Sequence, residues 1–308
     1  MALNTTNSAG LSAEMKTFYD RVLLERALPV LLHGQFAQTR NIPSHMGKTI
    51  EFRRFLALAT ATVPLTEGVP PTLKDVTVTN ITATVSQYGD AIGFTDLVSL
   101  TSFDPILTET TALLGEEAGE TIDEIVRDLL ATGTSVVYAA SRVSRVTVAS
   151  TDLITVADLR KVVRTLVVNR AKRIGGFYQA IVSPRVAFDL QGTTEWVTAN
   201  QFAQTGNQFD GSLGNLYGVK FWVTDKSKIF AGAGAAGIDV YASLFFGANA
   251  YGMVGLDGAS LQSYYKALGS AGTADPIDQQ QSMGWKVTFT AKILNDAFMI
   301  RYESAVSP

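Results

Sequence analysis

The chain has 308 residues, a net charge of −3, 46% hydrophobic and 17% charged residues, and no cysteine. That length suits one large domain or two smaller ones, and the acidic balance argues against a surface built as a whole to wrap nucleic acid or anionic membrane. Without cysteine there is no disulfide framework, thiolate metal site or thiol nucleophile, and the low charged fraction points to a surface partly covered by neighbours.

The N-terminal stretch MALNTTNSAGLSAE lacks the basic-then-apolar pattern of a signal peptide, and its first ten residues read as disordered when alone. The expectation is a soluble protein made in a cytoplasm. Residues 12–28 place Met15, Phe18, Tyr19, Val22 and Leu23 at helical spacing, with Ser12 as a cap and Pro29 as the stop. This helix packs on its own domain or lies along a neighbour.

Residues 48–96 hold two β-rich runs, KTIEFRRFLALATATV and LKDVTVTNITATVSQY, joined by PLTEGVPPT. Pro64, Gly68, Pro70 and Pro71 break the connection. The second run alone spans on the order of 50 Å. Val76 and Val78 lie on one parity, Ile81, Ala83 and Val85 on the other, so neither face is clearly apolar. A two-stranded ribbon without an apolar face is marginal in water. It is expected to protrude and to need another chain, which favours assembly over catalysis.

Next comes a long helix over 104–132. Asp104 caps it, Pro105 opens it, Gly133 follows its end, and apolar residues from Ile106 to Leu130 recur with a period near 3.6. Gly115 and Gly119 inside it weaken the helix by about 1 kcal/mol each relative to Ala, which a slight bend or the close approach of another backbone would explain. From 151 to 248 helix and strand alternate. Thr155 with Asp158 starts a helix expected to run to Gly175, YQAIVS is a strand, Ser183-Pro184 opens a short helix, and GVKFWVTD and IDVYASLFFG are strands. VYASLFFGANAYGMVGL approaches membrane-spanning length, but Asn249 and its glycines favour strand and turn. Residues 283–302 read as a hairpin turning at Asn295-Asp296.

Candidate chemistry is sparse. Gly232, Gly234 and Gly237 match G-x-G-x-x-G, yet the motif needs a helix after it and a strand-like run follows. Glu116, Glu120 and Glu124 form one acidic stripe along the long helix, accompanied by Glu117, Asp123 and Asp128. The stripe is expected to be solvated, or paired with Arg53 and Arg54 from an arm. Arg160, Lys161, Arg164, Arg170, Lys172 and Arg173 make a basic stretch that either contacts nucleic acid or simply solvates a helix face. His33 and His45 fall in no catalytic spacing, and no cofactor or metal set is evident.

The order of elements resembles the major capsid protein of tailed bacteriophages, of the Hong Kong 97 (HK97) type. SQYGDAIGFTDL (86–97), YQAIVSPRVAFDL (178–190), GNLYGVKFWVTD (214–225), VYASLFFGANAYG (240–252) and DPIDQQQSMGWKVTFTAKILNDAFMIRYES (275–304) are similar to the N4-like phage capsid family. The resemblance implies an α+β fold with an N-terminal arm (1–46), an extended β-hairpin loop (47–96) and a peripheral domain (97–150 with 250–308). The spine helix (104–132) and a closing β-hairpin belong to that peripheral domain, and an α/β axial domain covers 151–249. It implies hexamers and pentamers of identical subunits in an icosahedral head around double-stranded DNA in loose contact, located in the virion and assembled in the host cytoplasm. Further expected partners are a portal, a cement protein and, because the chain starts almost directly with the arm, a separate scaffolding protein. Arg53, Arg54, Pro64, Gly68, Pro70, Pro71, Glu116, Glu120 and Glu124 are the candidate inter-subunit contacts. The competing classes are a tail-tube or surface-layer subunit and a dinucleotide-binding enzyme.

Overall fold

The computed structural model describes residues 9–27, 31–56, 58–101, 106–193, 214–270 and 275–308. Of the ten residues expected to be disordered, 1–8 lie outside these residues, as does the Asp104-Pro105 helix start, whereas Ala9 and Gly10 open the first helix. In chain order the elements are α1 (Ala9–Ala27), β1 (Gln38–Ile42), β2 (Thr49–Phe55), β3 (Val78–Thr84), β4 (Ser86–Thr95), α2 (Asp96–Thr101), α3 (Ile106–Leu130) and β5 (Val136–Tyr138). There follow α4 (Val156–Val168), β6 (Tyr178–Val182), α5 (Pro184–Gln191), β7 (Asn215–Leu216), β8 (Val219–Val223), β9 (Ile229–Phe230), β10 (Val240–Phe246), β11 (Tyr251–Leu256), β12 (Gln262–Lys266), β13 (Gln280–Ile293) and β14 (Met299–Ser304).

Two large sheets share the body of the molecule, and β2 with β3 forms a separate two-stranded one. In the first, β13 is the organiser: β4 pairs with it from Gln280↔Thr95 to Phe289↔Ser86, while β12 and then β11 line its other edge, and β1 joins β11 in parallel. The long helix α3 turns Leu114, Ala118, Ile122, Val126 and Leu130 into one core with Met283, Trp285, Val287 and Phe289 of β13. The second sheet runs β5-β14-β10-β6-β8-β7. Its central strands are buried along their whole length. On β10, Tyr241 and Phe245 face the α4/α5 core, while Leu244 and Phe246 face the α3 core. Alternation explains why β6 and β10 read as unbroken apolar runs: each has two dry faces.

α1 starts three residues ahead of Ser12 and packs on its own chain, burying Tyr19, Leu23 and Ala27. Its backbone crosses α3 at Gly115, where a β-carbon would stand 2.7 Å from the Leu23 carbonyl oxygen. Close approach is therefore the reason for that glycine. Gly133 likewise sits against a neighbour, since a β-carbon there would meet Met299 Cε at 2.5 Å.

Three expectations need correction. Residues 283–302 turn near Asn295 but form no hairpin, because β13 and β14 belong to different sheets. The helix expected to reach Gly175 ends at Val168. Arg170 takes a left-handed conformation (φ 58°), its N–H donates to Val167 O, and Ala171 N–H donates to Leu166 O, a Schellman closure made without glycine. The ribbon does possess a core at its root. Phe52, Ala83 and Val85 pack with Ile42, Val254 and Leu294, and β4, expected as ribbon, is instead the edge strand of the first sheet.

Candidate assembly surface

Beyond its root, the described residues of the ribbon, 53–56 and 58–80, are all exposed. β2 and β3 pair from Thr49↔Thr84 to Phe55↔Val78, and one further backbone bond joins Leu56 N–H to Thr77 O. The ladder stops there, short of both expected runs, and the chain continues as an exposed loop. Gly68 sits at its tip with φ 78° in open space, in a turn closed by Val69 N–H to Thr66 O. Pro64, Pro70 and Pro71 flank it, all exposed. Along this loop Val63, Leu65 and Leu73 are 80%, 74% and 93% exposed, with Leu58, Val69 and Val76 exposed beside them. A second apolar surface lies on α2, which buries none of its residues and exposes Leu97 and Leu100.

The acidic stripe meets other partners than the arm arginines. Glu116 pairs with Arg26 of α1 (3.2 Å), Glu120 with Lys226 (2.8 Å) and Glu124 with Arg127 (3.1 Å). Arg54 donates instead to Asn295 Oδ1 at 2.9 Å, and Arg53 is exposed. All three glutamates are thus charge-compensated within the subunit, although exposed pairs of this kind contribute at most about 1 kcal/mol each.

Asp123 leaves the stripe altogether. It is buried and accepts from the backbone N–H groups of Leu32 (2.8 Å) and His33 (2.7 Å), with His33 Nδ1 2.6 Å away. The Tyr251 hydroxyl donates to the His33 carbonyl at 2.5 Å. This cluster ties the segment after α1 to the middle of α3. Burial, with the Asp123 charge second, holds the Tyr251 hydroxyl far above its usual range, so it stays protonated and donates to the His33 carbonyl.

A second buried network pins the loop between β5 and α4. Glu303, fully buried, receives a fork from Arg145 at 2.7 Å on each oxygen and a third bond from Arg301 Nε at 2.7 Å. Arg145 also lies 3.3 Å from the Phe230 ring centre. Arg142 donates to Asp152 (2.7 Å), and that bond holds the Asp152 carboxyl below the usual carboxylate range. Val143 and Val146, on this braced loop, are exposed.

Among the described residues, the candidate motifs of the sequence do not come together as a reactive site. Gly232, Gly234 and Gly237 lie between β9 and β10, with only a single 3-10 turn (Ala235–Gly237) before the strand, so no helix N-terminus receives a phosphate and the dinucleotide reading fails. Among the described residues, no three His, Cys, Asp or Glu side chains could hold a metal ion, and no helix is long and apolar enough to cross a membrane.

The sequence profile of the phage capsid protein family matches residues 78–302. The chain belongs to the phage capsid protein family. The capsid protein matches no curated protein sequence. Among solved structures it is similar to the capsid of cyanophage Pam1, with TM-score 0.70 at 13% identity over 92% of this chain and 93% of that one. It is also similar to the capsid of cyanophage P-SCSP1u, with TM-score 0.69 at 15% identity over 88% and 87%. The capsid of Ralstonia phage GP4 gives TM-score 0.69 at 13% identity over 91% and 88%. At these identities the likeness establishes the fold, which is of the HK97 type. The capsid protein is a structural subunit of a phage head, a major capsid protein rather than an enzyme. The matching profile describes phage capsid proteins broadly and does not single out the N4-like subset.

Proposed function

We propose that the capsid protein assembles through its ribbon, residues 47–85, laid across an identical subunit. Hexamers and pentamers so linked would form the closed icosahedral shell around a double-stranded DNA genome. The observation that carries this reading is the apolar loop beyond Phe55 and Val78, which exposes Val63, Leu65, Val69 and Leu73 in an isolated subunit. Covering each would contribute about 1.5–3 kcal/mol. Repeated by symmetry, individually weak contacts hold a closed assembly. In this reading 97–150 with 250–308 form the peripheral domain and 151–249 the axial domain, with β14 reaching into the axial sheet. Arg53, Pro64, Gly68, Pro70 and Pro71 contribute to the overlap, and Glu116, Glu120 and Glu124 border it. The reading further includes assembly in a host cytoplasm, with a scaffolding protein, a portal and a cement protein as partners.

Deleting 62–74 removes the tip and leaves the root cluster intact. The variant is expected to melt like the intact protein yet give no closed particles by electron microscopy. Normal shells from the deletion would refute the proposal. Tubes or flat sheets from the intact protein would favour a tail-tube or surface-layer subunit instead.

A further inference from the structure

The basic stretch of α4 and the turn after it is gathered in space by a second element. From 156 to 182 the sequence has six cationic residues and one acid, Asp158. Lys161 takes that acid at 2.8 Å. Arg160, Arg164 and Arg173 make no ion pair among the described residues. Arg164 follows Arg160 by one turn on the same helix face, and both are exposed. Across from them, β7 and β8 are joined by Tyr217-Gly218. The Arg160 guanidinium stands 5.9 Å from the Tyr217 ring centre, and Arg173 Nη2 lies 3.6 Å from where a Gly218 β-carbon would be. Two arginines from the two ends of the stretch thus flank one turn.

Tyr217 itself is in an unfavourable place. Its φ is 48° and that of Gly218 is 78°, the pattern of a tight hairpin turn that prefers Asn-Gly. A bulky side chain with positive φ is strained, and at 49% exposure Tyr217 gains little burial in return. The half-exposed ring stands beside Arg160, while Arg173, whose guanidinium lies 5.3 Å from the Tyr178 ring centre, flanks the Gly218 side of the turn. Guanidinium forks match phosphate oxygens bidentately, and a tyrosine hydroxyl is a further phosphate donor.

We propose that Arg160, Arg164, Arg173 and Tyr217 form a non-specific contact for the phosphate backbone of duplex DNA. The proposal rests on the reading above that the shell encloses DNA, and it assigns this surface to the interior. The one negative side chain of the stretch is already neutralised by Lys161, so the patch presents its full charge although the whole chain is slightly acidic.

The test uses the full chain as purified subunits and a labelled 20-base-pair duplex, with anisotropy followed over a salt series. Affinity should fall linearly in log–log form with salt. Substituting Arg160→Gln, Arg164→Gln and Arg173→Gln together should flatten that slope by about 2.7, at ~0.9 for each phosphate no longer neutralised, and weaken low-salt binding at least tenfold. Tyr217→Asn, which suits the turn and keeps every charge, should weaken binding several-fold without lowering the melting temperature. Lys226→Gln with Lys228→Gln, which removes cations already paired to α3, should leave the slope unchanged. An unchanged slope in the triple variant, or an equal loss in the lysine control, would overturn the assignment. So would a triple variant that binds DNA normally but no longer closes shells, since the patch would then face another subunit. Electron microscopy of the intact protein tests the shell separately, so either reading can fail alone.

Discussion

Gly115→Ala sets two effects of known sign against each other. Within α3 the substitution favours the helix by about 1 kcal/mol. The new methyl, however, would lie 2.7 Å from the Leu23 carbonyl oxygen and 3.1 Å from both Leu23 Cα and Arg26 Cβ. Two of those three atoms are backbone, so the strain is relieved only if α1 moves away. Overpacking of this kind costs about 1–3 kcal/mol. The hold on α1 comes from Leu23, 1% exposed and worth about 1.5–3 kcal/mol, with Tyr19 beside it, and from Asp20, which accepts from Ser263 N–H at 2.8 Å and Oγ at 2.6 Å. The Arg26–Glu116 pair is exposed and adds little. Strain and anchor are of the same size, so α1 should loosen while α3 survives. Hydrogen exchange read by peptide should show residues 18–27 exchanging at least tenfold faster and the buried face of α3 unchanged. Global melting should shift by no more than about 2 kcal/mol of stability, downward. A raised melting temperature with α1 equally protected would mean that propensity alone governs the site, and would refute the crossing as the reason for the glycine.

Two further outcomes follow from the buried charges. Glu303→Gln keeps the shape of the side chain but removes the charge that Arg145 and Arg301 share, so stability measured by urea unfolding should drop by about 3–5 kcal/mol; a loss under ~1 kcal/mol would show that the network contributes only geometry. Asp152 has its carboxyl depressed in the folded state by Arg142, so its stabilisation is complete above the ordinary aspartate value of about 3.9 and is lost as pH falls through the lower folded value. Protection of residues 142–150, taken as exchange relative to the unstructured rate at the same pH, should therefore fall below about pH 4 and lose that pH dependence in Asp152→Asn, while protection unchanged by acid in the intact protein would contradict the pin.

What was legible in the sequence was what neighbours along the chain determine. The apolar period of α3 sits within a few residues of itself, and the Thr155–Asp158 box closes over three residues, with Asp158 N–H to Thr155 Oγ1 at 3.2 Å as its spacing implies. The ribbon's root was not legible, because Phe52 and Ala83 find their apolar partners in Ile42, Val254 and Leu294, contributed by other strands and a late turn. The terminal strands misled for a related reason: Asn295-Asp296 does make a turn, but turn chemistry does not say whether the flanking strands pair. The Arg170 closure hid behind the usual preference for glycine. Of the candidate contacts, the three glutamates read correctly as one helix face, yet their cations come from α1, α3 and the loop after β8 rather than from the ribbon. His33 and Asp123 lie ninety positions apart, and the only local hint was an acid placed off the stripe.

The places where the chain passes between its two sheets constrain how such a subunit can change shape. α3 leaves the first sheet at 131–135, β10 hands over to β11 at 247–250, and β13 to β14 at 294–298, and these passages are bonded to one another. Asp296 accepts from Thr134 and Ser135, Gly247 N–H donates to Phe298 O, and Leu294 and Asn295 both donate to Ala250 O. The closure after α4 joins the same knot, through Asn169 Nδ2 to Ala297 O at 2.8 Å and Ala248 N–H to Lys172 O at 2.7 Å. Arg301 adds bonds to the carbonyls of Ala131 and Gly133. A hinge requires a few residues free to change φ and ψ, and here every crossing is braced by the next. Moving the two sheets relative to each other would therefore break these bonds. No such bracing holds the ribbon beyond Phe55 and Val78 among the described residues, where the glycine tip stands in open space and Val63, Leu65, Val69 and Leu73 are exposed.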